Sequence, residues 1–313
     1  MLSKKEKILV TGASGLIGNN LTQRLQSQGL EVLGLNSETD LRREEDTFKV
    51  FKEFKPTIVF HLAAKVGGIH ANSNFKADFY SDNILINTNV VNACVLNSVR
   101  YIFAMGTGCA YPKRLENSIL LEKDFLDGIP EKTNDAYAYA KRGLLVHLKS
   151  LKESDRIKYT YCLPANVYGP CDNFHPLNSH VVPGLIRRFC DSNEENKKEI
   201  IIWGDGSARR DFLYVDDCID AMIKLSEKEF LGTVNVSSKT LTSIKTLAEL
   251  IKSSTKYKGN LKYDSTKLAG QKQRYMNTEI MDKLLWSPKV QLSDGINKTV
   301  DWYLNNRKII KER

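Results

Sequence analysis

The chain has 313 residues, of which 42% are hydrophobic, and carries a formal net charge of +9, so one large α/β unit with a smaller lobe is the expected organisation. No apolar run approaches the roughly 18 residues that span a bilayer, and the opening "MLSKKEKILV" has a basic flank but no signal-type apolar segment, so a soluble cytoplasmic protein with no membrane partner is expected. The lysines are spread from Lys4 to Lys311 with no RNP-like, zinc-finger or repeat pattern, which argues against a nucleic-acid partner and leaves a solvated surface or an anionic small substrate as the use of the charge.

The first seventy residues read as β-α-β-α-β. "KILVT" is a short apolar strand; "LIGNNLTQRLQSQG" is a helix with apolar positions Leu16, Ile17, Leu21 and Leu25, ending at Gly29; "EVLGL" is the next strand. "FKVFKEF" leads to Pro56, and "TIVFHLAA" is a third strand, apolar enough to be buried on both faces. A long helix around "DNILINTNVVNACVLNSV", the strand "RYIFAM", a helix around "DAYAYAKRGLLVHLKSL" and the strand "KYTYCL" follow. Strands alternating with helices predict a doubly wound parallel sheet of Rossmann type. After Pro164 the pattern loosens through "ANVYGPCDNFHPLNSHVVP", which divides a dinucleotide-binding domain at 1–165 from a mostly substrate-binding α/β lobe at 166–313. "EIIIW" and the helix near Asp216 are expected to return part of about 200–230 to the first domain.

"VTGASGLIG" places Gly12, Gly15 and Gly18 between the first strand and the first helix. There the missing Cβ atoms let the turn close, let backbone approach a pyrophosphate, and let helix pack on strand. An acid at the end of the second strand would favour NAD; this chain has Asn36 and Ser37 there, with Arg42 and Arg43 beyond. That leans toward NADP, while Glu38 leaves NAD open.

"YAYAK" puts Tyr137 and Lys141 four residues apart on one helix face, with Tyr139 pointing elsewhere. An ammonium near a phenol stabilises its phenolate, so Tyr137 is a candidate acid toward a carbonyl oxygen. At the end of "RYIFAM", Thr107 and Cys109 stand two apart; if the strand persists, they share a face. The six cysteines form no CxxC pair or tight spacing, so neither a disulfide framework nor a metal site is expected. Cys109 in one pocket with Thr107 could instead remove a proton from carbon next to a ketone, with a histidine as acid on the opposite face.

With "HLAA", Thr107, Tyr137 and Lys141, the glycine loop resembles the extended short-chain dehydrogenase/reductase family, whose triad is Ser or Thr, Tyr and Lys. "AAKVGGIHANSNFKADF", "CAYPK", "NVYGPCDNFHPLNSHVVPGLIRRF" and "WGDGSARRDFLYVDD" resemble the narrower GDP-L-fucose synthase family of NADP-dependent 3,5-epimerase/4-reductases acting on GDP-4-keto-6-deoxymannose. The resemblance runs from the glycine loop to about Asp217. It implies Cys109 as epimerisation base and His180 as its acid, with Thr107, Tyr137 and Lys141 as the reductive triad. It implies a cofactor site of Gly12, Ser14, Gly15, Leu16, Ile17, Gly18, Asn36, Asp40, Leu41, Leu62, Ala63, Ala64, Tyr137 and Lys141. Lys65, Asn166, Arg188, Trp203 and Arg210 are the implied substrate residues, and a homodimer through the helices near Asn83 and Tyr137 is also implied. Two departures stand out: Thr107 replaces the more familiar serine, and "AGQKQRYMN" has Gln273 where an arginine is expected, with Arg274 beside it. Relatives that act on a GDP-4-keto-6-deoxyheptose, or reduce C4 without epimerising, leave a C4 reductase as the alternative. A dinucleotide-sensing or nucleic-acid-binding protein that lost the chemistry is the rival from another class, against which the intact triad counts.

Overall fold

A computed structural model describes residues 2–176, 178–266, 273 and 275–311. The elements in chain order are β1 (Lys7–Thr11), α1 (Leu16–Ser27), β2 (Glu31–Leu35), α2 (Glu44–Phe54), β3 (Ile58–His61), α3 (Ile69–Asn74), α4 (Lys76–Leu96), β4 (Tyr101–Met105), β5 (Ile119–Leu120) and α5 (Asp135–Glu153). Then come β6 (Lys158–Pro164), β7 (Asn166–Tyr168), α6 (Val181–Glu194), β8 (Glu199–Trp203), β9 (Arg209–Tyr214), α7 (Val215–Glu227) and β10 (Gly232–Val236). The last are β11 (Leu241–Ser243), α8 (Ile244–Ser254), β12 (Asn260–Asp264), β13 (Tyr275–Met276), α9 (Glu279–Lys283) and α10 (Leu292–Lys311).

The apolar runs do become the centre of a sheet. Its order is β10-β6-β4-β3-β1-β2, and every pair is parallel. Alternation along β1 sends Ile8 and Val10 into the core shared with Leu21 and Leu25 of α1 and Met222 of α7, and sends Leu9 into the opposite core with Val90 of α4 and Leu144 of α5. Both faces are thereby covered by helices, which is why β3 and β4 tolerate no polar interruption except His61. The strand order reverses at β1, with β2 on one side and β3 on the other, and the crevice for a ligand opens beyond the carboxyl ends of those strands.

Three expectations need correction. "HLAA" is strand only through His61, and the strand "RYIFAM" does not persist beyond Met105 to Thr107 and Cys109. "EIIIW" does not rejoin the large sheet: as β8 it pairs with β12, and its alternating burial leaves Ile201 and Trp203 exposed. A strand covered on one face only can look as apolar in sequence as one covered on both. α7, the helix expected near Asp216, packs on α1, and β10 pairs with β6. Outside the large sheet, β9 lies between β11 and β7, and β5 pairs with β13.

Candidate active site

Gly12 follows β1 with a left-handed φ of 71°, and a Cβ there would stand 2.9 Å from the backbone of Ala63. The loop after β1 therefore lies directly against the segment Leu62–Ala64 after β3, a fit open only to glycine. Helix α1 begins behind Gly15 without a side-chain cap, so its N-terminal amides and positive dipole end are available to phosphate oxygens. Gly12, Ser14, Gly15, Leu16, Ile17 and Gly18 all lie at this helix start, and the residues present fit a dinucleotide.

The exit of β3 is fixed by a buried relay. Asn87 donates from Nδ2 to the Ala140 carbonyl of α5 at 3.3 Å, and its Oδ1 lies 3.0 Å from His61 Nε2. His61 Nδ1 lies 2.9 Å from Thr11 Oγ1, which accepts from the backbone amides of Leu62 and Ala63 at 3.1 and 3.0 Å. One tautomer serves every bond: Nε2–H donates to Asn87 and Nδ1 accepts from Thr11. Burial, reinforced by the charge of Lys141, pushes the His61 pKa down to about 3, so the imidazole is neutral.

The Thr107 side chain meets the Cys109 backbone, in a different local structure from the one their spacing suggested. Beyond Met105 the chain turns into one 3-10 turn, Gly108–Ala110, and Thr107 caps it by accepting from the Cys109 amide at 3.3 Å. The Cys109 carbonyl accepts from Asn134 Nδ2 at 3.3 Å, at the start of α5. One turn further along that helix stand Tyr137 and Lys141, with the ammonium 5.9 Å from the phenol ring. Lys141 is only 2% exposed and donates to the Met105 carbonyl at 2.8 Å, which locks helix to strand end. Burial lowers its pKa to about 8. Burial also pushes the Tyr137 phenol up, and negative charge on Cys109 pushes the same way, so the phenol carries its proton at neutral pH. Tyr139 is exposed and lies against Arg142.

Lys65 joins this group through Phe79, whose ring is 6.0 Å from the Lys65 ammonium and 6.4 Å, edge-on, from the Tyr137 ring. Asn83 clamps the Lys65 backbone, accepting from its amide at 2.9 Å and donating to its carbonyl at 3.0 Å. The Lys65 ammonium itself pairs with Asp82 at 2.7 Å. The loop after Lys65 packs against the residues just before His180: the Gly68 amide donates to the Asn178 carbonyl, and a Cβ on Gly68 would lie 2.8 Å from the Ser179 carbonyl oxygen. His180 then opens α6 as its cap residue and stays exposed to solvent, while partial desolvation by neighbouring atoms lowers the imidazole pKa.

The sequence pattern of the NAD dependent epimerase/dehydratase family matches residues 8–237, which takes in the glycine loop, the β3 exit, the Thr107 turn, Tyr137, Lys141 and His180. The chain belongs to this family. Among its relatives, GDP-L-fucose synthase 1 of Arabidopsis thaliana is 40% identical over 313 residues, covering 98% of this chain and 95% of the relative. A GDP-L-fucose synthetase of Naegleria fowleri solved with NADP superposes with a TM-score of 0.86 at 30% identity, covering 98% of this chain and 95% of that one. A GDP-mannoheptose C4 reductase of Campylobacter jejuni, with NADP bound, gives 0.87 at 27% identity over 97% and 100% of the two chains.

The remaining residues expected of this epimerase/dehydratase chain fall in separate clusters. Just beyond β2, Asn36 folds into a local turn by accepting from the Glu38 amide at 2.9 Å. Asp40 is held by Arg42, which lowers its pKa to about 2, and Arg42 also reaches Asp82 at 3.5 Å. The Leu41 carbonyl is fixed by Asn89 Nδ2 at 3.0 Å. In the lobe, Arg188 lies 6.0 Å from the ring of Trp203, which is 55% exposed, and donates to the Ile201 carbonyl at 2.8 Å. Asn166 donates to the Asp211 carbonyl at 2.9 Å beside Arg210. Gln273 accepts through its carbonyl from the Asn117 amide, and Arg274 lies outside the described residues.

Sequence reasoning missed His61, Phe79, Asn134, Arg142 and the asparagine pair Asn83 and Asn87. The last had a signal: four residues apart, they share one face of α4, and both are buried. His61, polar at the end of an otherwise apolar run, was a second.

Proposed function

We propose that this chain reduces C4 of a GDP-4-keto-6-deoxy sugar with NADPH, after exchanging protons at C3, C5 or both. The single observation carrying the reading is one turn, Gly108–Ala110, that holds a thiol next to a complete reductive set on the neighbouring strand end and helix. The names of its relatives supply the GDP-linked substrate and the NADP. On this reading the six-stranded unit, residues 1–165 with the returning α7 and β10, holds the cofactor, and the rest of 166–313 holds the nucleotide sugar.

When bound, the cofactor supplies the hydride that reaches the ketone carbon. Thr107 donates its hydroxyl proton in a hydrogen bond to the ketone oxygen, and Tyr137, protonated at neutral pH, transfers its proton there as the alkoxide forms. Lys141 lies close enough to compensate the phenolate charge left behind. Epimerisation uses the same ketone: Cys109 takes the proton from the adjacent carbon, electrons shift onto the carbonyl oxygen as an enolate, and His180 returns a proton from the other face. Arg188, Arg210 and Lys65 suit diphosphate oxygens by charge and donor number.

NADPH oxidation with GDP-4-keto-6-deoxymannose in deuterated water, followed by NMR of the product, tests the reading. Product deuterated at C3 and C5 supports both activities, and Cys109→Ser then abolishes the label. Turnover to an unlabelled, unepimerised sugar supports the second reading, a C4 reductase, which the likeness to the heptose reductase favours. No turnover with the hexose or the corresponding keto-heptose refutes both. A homodimer belongs to the proposal: α4 and α5 pack together and expose Tyr80, Leu85, Tyr139 and Val146. A reducing, cytoplasmic compartment is supported by six free cysteines.

A further inference from the structure

Arg142 follows Lys141 on α5, and no chemistry has yet been given to it. It is 6% exposed, and a guanidinium is buried only where donors and charge are met. Its Nε donates to the Ala110 carbonyl at 2.9 Å and its Nη1 to the Gly128 carbonyl at 2.5 Å. The rings of Phe125 and Tyr139 each lie 5.9 Å from the guanidinium carbon. Ala110 is the residue that closes the turn carrying Cys109.

The two ends of that turn are held by different means. The Thr107 end continues the sheet: the Gly106 amide donates to the Cys162 carbonyl of β6 at 2.7 Å, and Lys141 holds the Met105 carbonyl. The Cys109 end is gripped by side chains of α5, with Asn134 on the Cys109 carbonyl and Arg142 on the next. Loosening the second grip therefore displaces the thiol while the hydroxyl, the phenol and the ammonium stay where sheet and helix put them.

We propose that Arg142 is a positioning residue that sets the place of the Cys109 thiol relative to Tyr137, and so governs proton exchange at the sugar carbons more than reduction of the ketone. The proposal rests on the functional reading above. Removing a carbon-bound proton needs the thiolate in near-attack geometry, and a misplacement of about 1 Å costs roughly 100-fold. A lysine keeps the charge but lacks the planar set of donors that spans two carbonyls while lying between two rings.

The test uses the full-length protein and its Arg142→Lys and Arg142→Ala variants. Deuterium exchange into GDP-4-keto-6-deoxymannose is followed without NADPH, and total C4-reduced product is followed with NADPH. Both variants are expected to lose about 100-fold in exchange but less than about fivefold in reduction, so that unepimerised reduced sugar accumulates. Millimolar guanidinium is expected to restore part of the exchange in Arg142→Ala, which an unfolded variant would not show. Equal losses in exchange and reduction, or an unaltered exchange rate, overturn the proposal. If the wild-type protein itself neither exchanges nor reduces, the functional reading has failed. Alkylation of Cys109 by iodoacetamide, read by peptide mass, then decides the positioning claim: at least a threefold rate change in Arg142→Lys is expected, and an unchanged rate overturns it.

Discussion

Replacing His61 by Gln tests the relay beneath the cofactor loop. His61 is fully buried, neutral, and bonded through both ring nitrogens, with its pKa pushed down to about 3 by burial first and Lys141 second. In the unfolded chain the same imidazole has its ordinary value of about 6.5. Between these two values the unfolded state binds a proton that the folded state refuses, so stability falls as pH drops below about 6.5 and the loss continues to about 3. The slope is about 1.4 kcal/mol per pH unit, which at about pH 5 amounts to roughly 2 kcal/mol relative to neutral pH. Urea unfolding of wild type and His61→Gln at about pH 7 and pH 5 isolates this contribution, because every other titrating group cancels in the double difference. Wild type is expected to lose about 2 kcal/mol more than the variant over that interval, although the variant is less stable at neutral pH through its disturbed hydrogen bonds. Equal pH dependence in the two proteins would refute the claim that His61 is buried as the neutral base.

Tyr137→Phe removes the proton donor while keeping the ring against Phe79, and is expected to lower the rate of ketone reduction by roughly 10²–10⁴-fold, with NADPH affinity by fluorescence little changed. On the proposed reading, Asn36→Asp sets a carboxylate near the 2′-phosphate of NADP; KM for NADPH is expected to rise at least about tenfold with little change for NADH, and an unaltered ratio would show that the end of β2 does not read the ribose. The pH profile of proton exchange carries its own signature. Exchange through Cys109 and His180 needs the pair to hold one proton, and partial desolvation lowers the His180 pKa, so the acid limb is expected below about 6.5, while His180→Gln, which lacks the acid, should lose most of the exchange.

What could be read in the chain was what short-range geometry dictates. A glycine loop between an apolar run and a helix, and a tyrosine four residues before a lysine, both translate into position with little help from the rest of the molecule. The wrong readings arose where the end or the partner of an element is decided by one side-chain bond or by a distant strand. β4 runs into a turn because Thr107 satisfies the Cys109 amide with its own side chain, an interaction that competes with strand continuation and is available to any threonine two residues before a free N–H. β8 was assigned to the wrong sheet because four apolar residues in a row say nothing about which faces will be covered. Its partner, β12, lies some sixty residues further on, and its outward residues serve the lobe surface.

The side chains that hold the candidate site's groups were the least legible, and for a common reason: their partners are backbone atoms or side chains brought close only by the sheet order. His61 meets Thr11 because β3 lies beside β1, where Thr11 and His61 are register partners. Asn87 meets the Ala140 carbonyl because α4 packs on α5 across the same face. Arg142 meets Ala110 because α5 lies over the end of β4. In each case a polar group is buried at a cost that only its distant partner offsets. A substitution that looks conservative in the sequence, such as Arg142→Lys, should therefore act through geometry and leave the charge pattern of the chain unchanged.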